Sequence, residues 1–437
     1  MRLLPLIAAT YFMVSGGPYG LEDIIGMAGY GRALLLLLVI PVVWSLPTSL
    51  MVGELASALP EEGGYYCWVR RALGRFWGFQ EAWLSLAASV FDMAIYPTIF
   101  VLYLGRIEPA WTAGYRGTLW ALAVVVVCMV WNLRGARAVG EGSVGLFCLL
   151  LSPFVVLTAV GLWKALAGGH HALAGPHWLG GPSAGMDFAG AVSVTLWNYM
   201  GWDNASTVAQ EVEEPQRNYP KAMLYATGLV ALTYVLPLAA VGLVGIPAER
   251  FSTGAWTDAA RELVGPWLAL CVVLGGTING AGMFNALVMS YTRVPYALAE
   301  EGLLPGAFTR KNAWGVPWVS VVVCSVGWAL ALRLSFERLI SIDLVLYGAA
   351  LMLEFVTLVV LRVKEPELAR PFKVPGGVWG SVGMGVGPGV LIAFALWAAR
   401  GERVAGLPAL GFAGIVAAAG PVVYLAARMV RRGRLVS

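Results

Sequence analysis

Long runs of apolar residues, separated by short segments rich in Pro and Gly, recur along the whole chain of 437 residues. A helix needs about 20 mostly apolar residues to cross the roughly 30 Å hydrocarbon core of a bilayer. The pattern predicts an all-α membrane protein, a single transmembrane domain of twelve helices (residues 1–437). The approximate spans are 2–29, 32–59, 76–104, 117–133, 139–166, 187–211, 220–246, 263–293, 316–334, 338–363, 377–399 and 406–430.

The composition supports a membrane environment. Hydrophobic residues make up 59% of the chain and charged residues 12%, with a net charge of +4, whereas soluble domains average about 25% charged residues. No run of Lys or Arg alternates with aromatic residues, so we expect a lipid bilayer and no nucleic acid as partner. The five cysteines include no CxxC pair and are interpreted as small core residues.

Metal and cofactor chemistry is not expected. Three histidines share one predicted external loop, but no carboxylate or cysteine accompanies them at the spacing of metal ligands. They are His170, His171 and His177. No nucleophile–base pair lies near the interrupted spans described below, so the sequence does not predict an enzyme.

The distribution of positive charge predicts the topology. Of the 29 Lys and Arg residues, 19 fall on the side of the predicted bundle that carries both termini. Cytoplasmic loops carry the excess of Lys and Arg in membrane proteins. We therefore expect both termini in the cytoplasm of a multi-pass protein of the cell (inner) membrane. The sequence makes no prediction of the oligomeric state.

The first span is interrupted at its centre by SGGPYG, residues 15–20. Irregular backbone at membrane depth is tolerated only where it lines a protein-walled or wet cavity, so the break predicts a cavity. The half-helix before it presents free carbonyl groups that attract an ammonium group, and the half-helix after it presents N–H groups that attract a carboxylate. Glu22 and Asp23 begin the second half. Either they cap that half-helix, or they make the cavity negative and favour a cationic substrate.

The sixth span contains a similar break, YMGWDN, at residues 199–204. In both breaks an aromatic residue lies near a Gly, and an acidic residue follows that Gly by two positions. Matching interrupted segments in two halves of a chain are typical of transporters built from inverted repeats, with the binding site at the breaks. Two unrelated glycine kinks are the alternative.

Two aspartates within the spans are candidate functional residues, because an ionised side chain at the bilayer centre costs at least about 2.5–3.5 kcal/mol. Asp92 has apolar neighbours and lies one helical turn from Tyr96, on the same face. It is a candidate ligand for a cation, or a carboxyl that stays neutral. Asp203 combines burial with the second break and is the candidate proton carrier.

Three glutamates in the spans have less clear roles. Glu54 and Glu81 lie nearer the helix ends, where we expect them to pair with the arginines of the loop after the second span. Glu354 has no sequence-based explanation.

Four segments in order resemble the amino acid–polyamine–organocation (APC) transporters. They are SGGPYG, PEEGGYYCWVRRALGRFWGFQEAW (60–83), WNYMGWDNASTVAQEVEEPQRNYPKA (197–222) and LMLEFVTLVVLRVKEPELARPFKVPG (351–376). Within that superfamily, the sequence is most similar to plant polyamine uptake transporters and their bacterial relatives. The narrower similarity rests on SGGPYGLED, FDMAIYP, LMLEF with RPFKVPG, and the pair Trp202–Asp203.

The resemblance implies a LeuT-like fold of two inverted five-helix repeats, about 2–166 and 187–363, with two further helices at about 377–430. It also implies a substrate held between helices 1, 3, 6 and 8 and transported by alternating access. Trp197 is similar to a gating Trp of arginine/agmatine antiporters, and Asp203 to their proton-linked acid. The predicted substrate-binding residues are Ser15, Gly16, Gly17, Tyr19, Gly20, Glu22, Asp23, Asp92, Tyr96, Trp197, Asn198, Tyr199, Gly201, Trp202, Asp203 and Asn279.

These features together predict a secondary active transporter that imports a cationic organic nitrogen compound, a polyamine or an amino acid, with protons. Two alternatives stay open. One is a symporter or exchanger of neutral or cationic amino acids that binds the substrate carboxylate at the first break. The other is a membrane sensor or binding subunit that does not transport its ligand.

Overall fold

The computed structural model describes residues 1–168, 186–332, 336–401, 403–404 and 407–436. These residues are mostly helical, and the predicted all-α class is confirmed. The histidine-containing loop of the sequence analysis lies outside the described residues.

Nine α-helices form the first part of the chain. A π-helical turn, Pro41–Ser45, joins the third to the fourth. The helices are α1 Leu3–Val14, α2 Glu22–Ala28, α3 Tyr30–Ile40, α4 Leu46–Ala58, α5 Tyr65–Leu73, α6 Arg75–Ile107, α7 Pro109–Thr112, α8 Tyr115–Asn132 and α9 Ala136–Gly168.

The second part adds nine further α-helices and one short antiparallel pair of strands, in which Arg403 lies opposite Pro408. The α-helices are α10 Phe188–Trp197, α11 Pro215–Val244, α12 Trp256–Leu263, α13 Pro266–Tyr291, α14 Arg293–Glu300, α15 Trp318–Ala331, α16 Phe336–Lys364, α17 Gly377–Ala398 and α18 Ala409–Val436. The strands are β1 Arg403–Val404 and β2 Leu407–Pro408, and the 3-10 segments are Trp202–Thr207, Ala209–Glu211, Ala248–Arg250, Gly306–Thr309 and Ala399–Gly401.

Nine helical segments of the described chain are long and apolar enough to cross a membrane. The protein is therefore a multi-pass integral membrane protein. The predicted spans 1, 6 and 9 contain the helices α1, α10 and α15, each of which is shorter than its predicted span. The count of twelve spans stays a prediction.

Both predicted interruptions are present in the structure. Helix α1 ends at Val14 and α2 begins at Glu22; α10 ends at Trp197 and continues only as 3-10 turns. Gly17 and Gly201 have φ angles of 71° and 94°, which a glycine adopts without steric cost.

The two breaks meet in the middle of the molecule. A Cβ atom at Gly201 would overlap the carbonyl oxygen of Met13, at the end of α1. Helices α6 and α16 pack against each other beside the breaks, and α13 packs against α1 and α6. The interrupted backbone is therefore enclosed by long helices. This is expected, because unpaired backbone N–H and C=O groups are not tolerated in contact with lipid.

Candidate functional site

A small cavity lies where the two breaks meet α6, α13 and α16. Its volume is about 10 Å³, and one water molecule needs roughly 10–15 Å³. A larger solute therefore requires the cavity to expand. The lining residues are Met13, Val14, Asp92, Tyr96, Trp197, Met200, Gly201, Asn204, Tyr291, Asp343 and Tyr347. We call this space the central cavity.

Three aromatic side chains hold the carboxylate of Asp92. Tyr96, one turn later on α6, donates to Oδ1 at 2.6 Å, and Tyr291 of α13 donates to Oδ2 at 3.3 Å. The indole of Trp197 also hydrogen-bonds to this carboxylate. Trp197 stacks on Tyr96 with ring centroids 6.2 Å apart. Asp92 and Tyr96 lie on one face of α6, as their spacing indicates, and the hydrogen bond between them is a finding of the structure.

A second Asp and Tyr, one turn apart on α16, complete the acidic wall. Asp343 and Tyr347 both line the central cavity. The Tyr347 hydroxyl accepts a hydrogen bond from the backbone N–H of Gly201 at 3.0 Å and donates one to Asp203. Tyr347 therefore connects α16 to the unwound backbone and to the predicted proton carrier.

The electrostatics of the central cavity are those of a cation site. Asp92, Asp203 and Asp343 are at most 6% exposed and interact electrostatically with one another. None of the cavity-lining residues is Lys, Arg or His. Aromatic faces next to such acids add cation–π attraction. The arrangement can hold an ammonium group or protons, and it disfavours an anion.

Glu22 and Asp23 face away from the central cavity. Glu22 accepts hydrogen bonds from the N–H groups of Gly20 at 2.7 Å and Gly254 at 3.2 Å, and from Tyr103. Asp23 accepts one from Thr253 at 2.8 Å. Glu22 therefore satisfies backbone donors around the start of α2, which favours the capping interpretation.

The SGG backbone of the first break does not line the central cavity either. The N–H of Ser15 bonds to the Tyr11 carbonyl at 2.6 Å, and the Gly17 N–H bonds to Ser15 Oγ at 3.0 Å. A Cβ atom at Gly16 would overlap Asn279, so these two predicted residues are in close contact with each other.

The other predicted residues support the breaks from outside the cavity. The hydroxyls of Tyr19 and Tyr199 donate to the backbone carbonyls of Val272 at 2.6 Å and Leu37 at 2.9 Å. Asn198 donates to the Val194 carbonyl at 2.9 Å. Gly20 lies next to Asn198 and Trp197, and Trp202 is fully buried.

The structure thus brings Asp92, Tyr96, Trp197 and Gly201 together in the cavity wall, with Asp203 directly behind Tyr347. Sequence reasoning missed the other wall residues. A signal for two of them was present: DLVLY, residues 343–347, repeats the Asp-x-x-x-Tyr spacing of DMAIY, residues 92–96. The remaining missed residues are Met13, Val14, Met200, Asn204 and Tyr291.

The expected pairing of Glu54 and Glu81 with nearby loop arginines is wrong. Glu54 pairs instead with Arg362 and, at 3.2 Å, with Arg370. Glu81 accepts a hydrogen bond from Ser85 at 3.0 Å. Glu354 makes no hydrogen bond at either oxygen within the part of the chain that the structure describes.

The profile of the amino acid permease family matches residues 7–423. The chain belongs to the amino acid permease family. The match covers both breaks and every residue of the cavity wall, so the resemblance to APC transporters is confirmed.

The curated relatives of this permease carry the names of transporters, not of enzymes. "Polyamine transporter PUT1" of Oryza sativa subsp. japonica is 35% identical over 91% of this chain and 73% of its own length. "Polyamine transporter RMV1" of Arabidopsis thaliana is 34% identical over 90% of this chain and 79% of its own length. "Serine/threonine exchanger SteT" of Bacillus subtilis (strain 168) is 24% identical over 85% of this chain and 83% of its own length.

A solved transporter shares the fold of this permease. The crystal structure of MhsT in complex with L-phenylalanine superposes with a TM-score of 0.63 at 16% identity, over 91% of this chain and 98% of that chain. At this identity the likeness concerns the fold, which is the LeuT-like fold expected from the sequence.

Proposed function

We propose that this permease imports a polyamine together with protons, and that the central cavity binds an ammonium group of the substrate. The observation that carries the proposal is the cavity wall, in which Asp92 and Asp343 stand among aromatic side chains without a basic residue. Relatives named polyamine transporters, at 34–35% identity over most of the chain, support the same substrate class.

The hydrogen bonds of the first break favour an amine over an amino acid. The N–H groups of Ser15, Gly17 and Gly20 already have partners within the protein. These three groups are therefore not free to bind a substrate carboxylate, which the acids of the cavity would also repel. A transporter of amino acids is the second candidate, because the exchanger of B. subtilis is a relative.

We propose Asp203 as the residue that couples proton movement to substrate movement. Its side chain is 2% exposed and bonds to Tyr347 of the cavity wall. Tyr347 also holds the N–H of Gly201, so a change of charge on Asp203 acts on the unwound backbone through one hydroxyl group. In the transport step, the predicted spans 1, 2, 6 and 7 (2–29, 32–59, 187–211 and 220–246) rock around the cavity.

For the membrane arrangement we propose twelve spans, with inverted repeats at about 2–166 and 187–363 and two further helices at about 377–430. The excess of Lys and Arg on the side of the termini supports cytoplasmic termini and a place in the cell membrane. Epitope tags at both ends test this: in intact spheroplasts both tags stay protected from added protease, and digestion of either tag contradicts the orientation.

Uptake by proteoliposomes of the full chain tests the function. Radiolabelled putrescine accumulates under an inward pH gradient, and unlabelled spermidine inhibits it while leucine does not. If leucine or arginine inhibits and spermidine fails, the polyamine assignment is wrong. Asp203→Asn abolishes the stimulation by the pH gradient; unchanged stimulation would remove Asp203 from the coupling role.

A further inference from the structure

A pair of buried glutamates lies outside the central cavity and is unexplained by substrate binding. Glu354 of α16 is 0% exposed, and neither of its carboxyl oxygens has a hydrogen-bond partner among the described residues. Glu81 of α6 is also 0% exposed; Ser85 donates to its Oε1, and its Oε2 has no partner in the same part of the chain. We call these two residues the glutamate pair.

The glutamate pair forms a second acidic level along the interface of α6 and α16. Glu81 precedes Asp92 by eleven residues, and Glu354 follows Asp343 by eleven residues, which is about 16 Å of helix at 1.5 Å per residue. The glutamates interact electrostatically with each other, as do Asp92 and Asp343. The pair is displaced from the cavity toward the Arg75 end of α6 and the Lys364 end of α16.

Asp203 connects the two levels. It interacts electrostatically with Asp92 and Asp343 on the cavity side and with Glu81 and Glu354 on the other. A line of carboxyl groups therefore runs from the central cavity toward the membrane face at which α6 begins and α16 ends.

The neighbours of the glutamate pair point to a proton as the ligand. Tyr65 of α5 is 0% exposed and interacts electrostatically with Glu81, Glu354 and Asp203. Its hydroxyl lies near Ser85 but makes no hydrogen bond of normal geometry to any described residue. Tyr347 of α16 also interacts electrostatically with Glu354. No basic side chain of the described residues acts on either glutamate.

Glu54 is the charged residue of α4, and its charge is already compensated because it pairs with Arg362 and Arg370. An ionised carboxylate without a partner is strongly disfavoured in a dry interior, whereas a protonated carboxyl is tolerated.

We propose that Glu81 and Glu354 form a proton-binding site and exchange its proton with Asp203 along the α6–α16 interface. In the transfer, the O–H bond of the Asp203 carboxyl breaks and an O–H bond forms on a glutamate carboxylate. Asp203 is left as the carboxylate, and the reverse step restores it. The use of this proton in transport rests on the proposed function; its binding does not.

Infrared difference spectroscopy of the purified, substrate-free full chain in H2O and D2O tests the site. At neutral pH, the wild type shows a carboxylic-acid C=O band that shifts in D2O and is lost in Glu354→Gln. The band persists at a shifted position in Glu354→Asp, and Glu81→Gln displaces it. Thr357→Val is the matched control, because Thr357 is buried one turn away with an unpartnered hydroxyl, and it leaves the band unchanged. A spectrum that is the same in wild type, Glu354→Gln and Glu81→Gln overturns the proposal.

Proteoliposomes test the use of the proton in transport. The quantity measured is the ratio of putrescine uptake under a pH gradient to putrescine counterflow. In the double variant Glu81→Gln/Glu354→Gln, this ratio falls to the value that is measured without a gradient. Thr357→Val keeps the wild-type ratio. A wild-type ratio in the double variant overturns the relay. If the wild type accumulates no putrescine, the proposed substrate is wrong, while the infrared result still decides the proton site.

Discussion

At the scale of single residues, the site depends on two aspartates, Asp92 and Asp203, that are each oriented by a tyrosine. Tyr96 and Tyr347 both donate to aspartates, one within its own helix and one across to the unwound segment. A hydroxyl donor next to a carboxylate stabilises its charged form, while the surrounding burial opposes that charge. Under the proposed function, we expect this balance to let the aspartates exchange a proton for an ammonium group.

Replacement of Asp92 by Asn tests its role in recognition of the charge. Hydrogen bonds to charged groups contribute about 1.5–3 kcal/mol, so we expect the KM for putrescine to rise more than about tenfold. Inhibition by a neutral amino acid, if present, stays unchanged. The control is Asp258→Asn, an exposed aspartate that lies 3.5 Å from Arg106. Equal losses for the charged and the neutral compound would count against charge recognition.

Sequence reasoning found the residues whose signal is local and missed those that depend on packing. Asp92 and Tyr96 share a helical face, which spacing alone reveals. Asp343 lies near the start of its predicted span. An acidic residue there is readily interpreted as lying near the membrane surface. Only the contact of α16 with α6 places it beside Asp92.

The Ser15–Gly17 backbone shows the opposite error. The sequence predicted the break but not the partners of two of its N–H groups: the Ser15 N–H bonds to the preceding turn of α1, and the Gly17 N–H bonds to the Ser15 side chain. A break in a helix therefore predicts a nearby cavity more reliably than it predicts which atoms line it.

At the scale of secondary structure, the second break depends on a glycine that no other residue can replace without strain. Gly201 has a φ of 94°, and its Cα faces the carbonyl of Met13. Its N–H also binds Tyr347. The end of α1, the unwound segment and α16 therefore meet at one residue.

Gly201→Ala should abolish transport. A non-glycine residue in a sparsely populated backbone region costs about 1–3 kcal/mol, and the added methyl group forces α1 and the unwound segment apart. Gly383→Ala in α17 is the matched control, since nothing lies within 4 Å of the added atom. Putrescine counterflow measures both variants. Wild-type counterflow in Gly201→Ala would show that the close approach is unimportant.

Helices α4 and α16 are joined by a buried ion cluster. Glu54 accepts from Arg362 Nε at 2.7 Å and from the Val374 N–H at 2.7 Å, and Arg370 lies 3.2 Å away. The glutamate and both arginines have side chains at most 4% exposed. Because two arginines compensate the charge of Glu54, this cluster is structural and differs from the glutamate pair, on which no basic side chain of the described residues acts.

Glu54→Gln should strongly destabilise the fold. Removal of one partner from a buried ion pair costs about 3–5 kcal/mol, because the remaining charge is left uncompensated. Thermal unfolding in detergent micelles, followed by intrinsic fluorescence, shows a lower midpoint. Glu141→Gln, which removes an exposed ion pair with Arg137, changes the midpoint little. A Glu54→Gln midpoint equal to that of the control would contradict the structural role.

The helices themselves were the most predictable feature. Long apolar runs gave the main spans to within a few residues at most ends, because hydropathy depends on composition alone. The 3-10 turns after Gly201 and the π-helical turn at Pro41–Ser45 were not predicted, since they arise from contacts with neighbouring helices.

At the scale of the whole molecule, an ion cluster around the buried Arg293 holds one face together. Arg293 is 1% exposed; it bonds to Glu211 at 2.7 Å and lies 3.6 Å from Glu62, which Lys311 approaches to 3.2 Å. Burial raises the pKa of Glu62, while Arg293 and Lys311 oppose that rise. The amino group of Met1 also bonds to the Glu211 carbonyl.

This cluster fastens three parts of the molecule that the alternating-access proposal requires to separate. Glu62 belongs to the loop after α4, Glu211 to the segment after the second break, and Arg293 to the junction of α13 and α14. Opening of the cavity toward this face must break the cluster. Its strength therefore sets how often the substrate-free transporter opens there.

Arg293→Gln should open this face, with hydrogen–deuterium exchange as the measurement. Without the guanidinium, Glu62 and Glu211 lose their buried partner, and each 1.4 kcal/mol lost raises the open population about tenfold. We expect faster exchange at residues 59–64 and 207–213 and unchanged exchange along α9. Arg71→Gln removes a partly exposed ion pair with Glu365 on the same face and is the matched control. Equal protection in the two variants would mean that closure of this face depends on the apolar packing of the helices instead of the ion cluster.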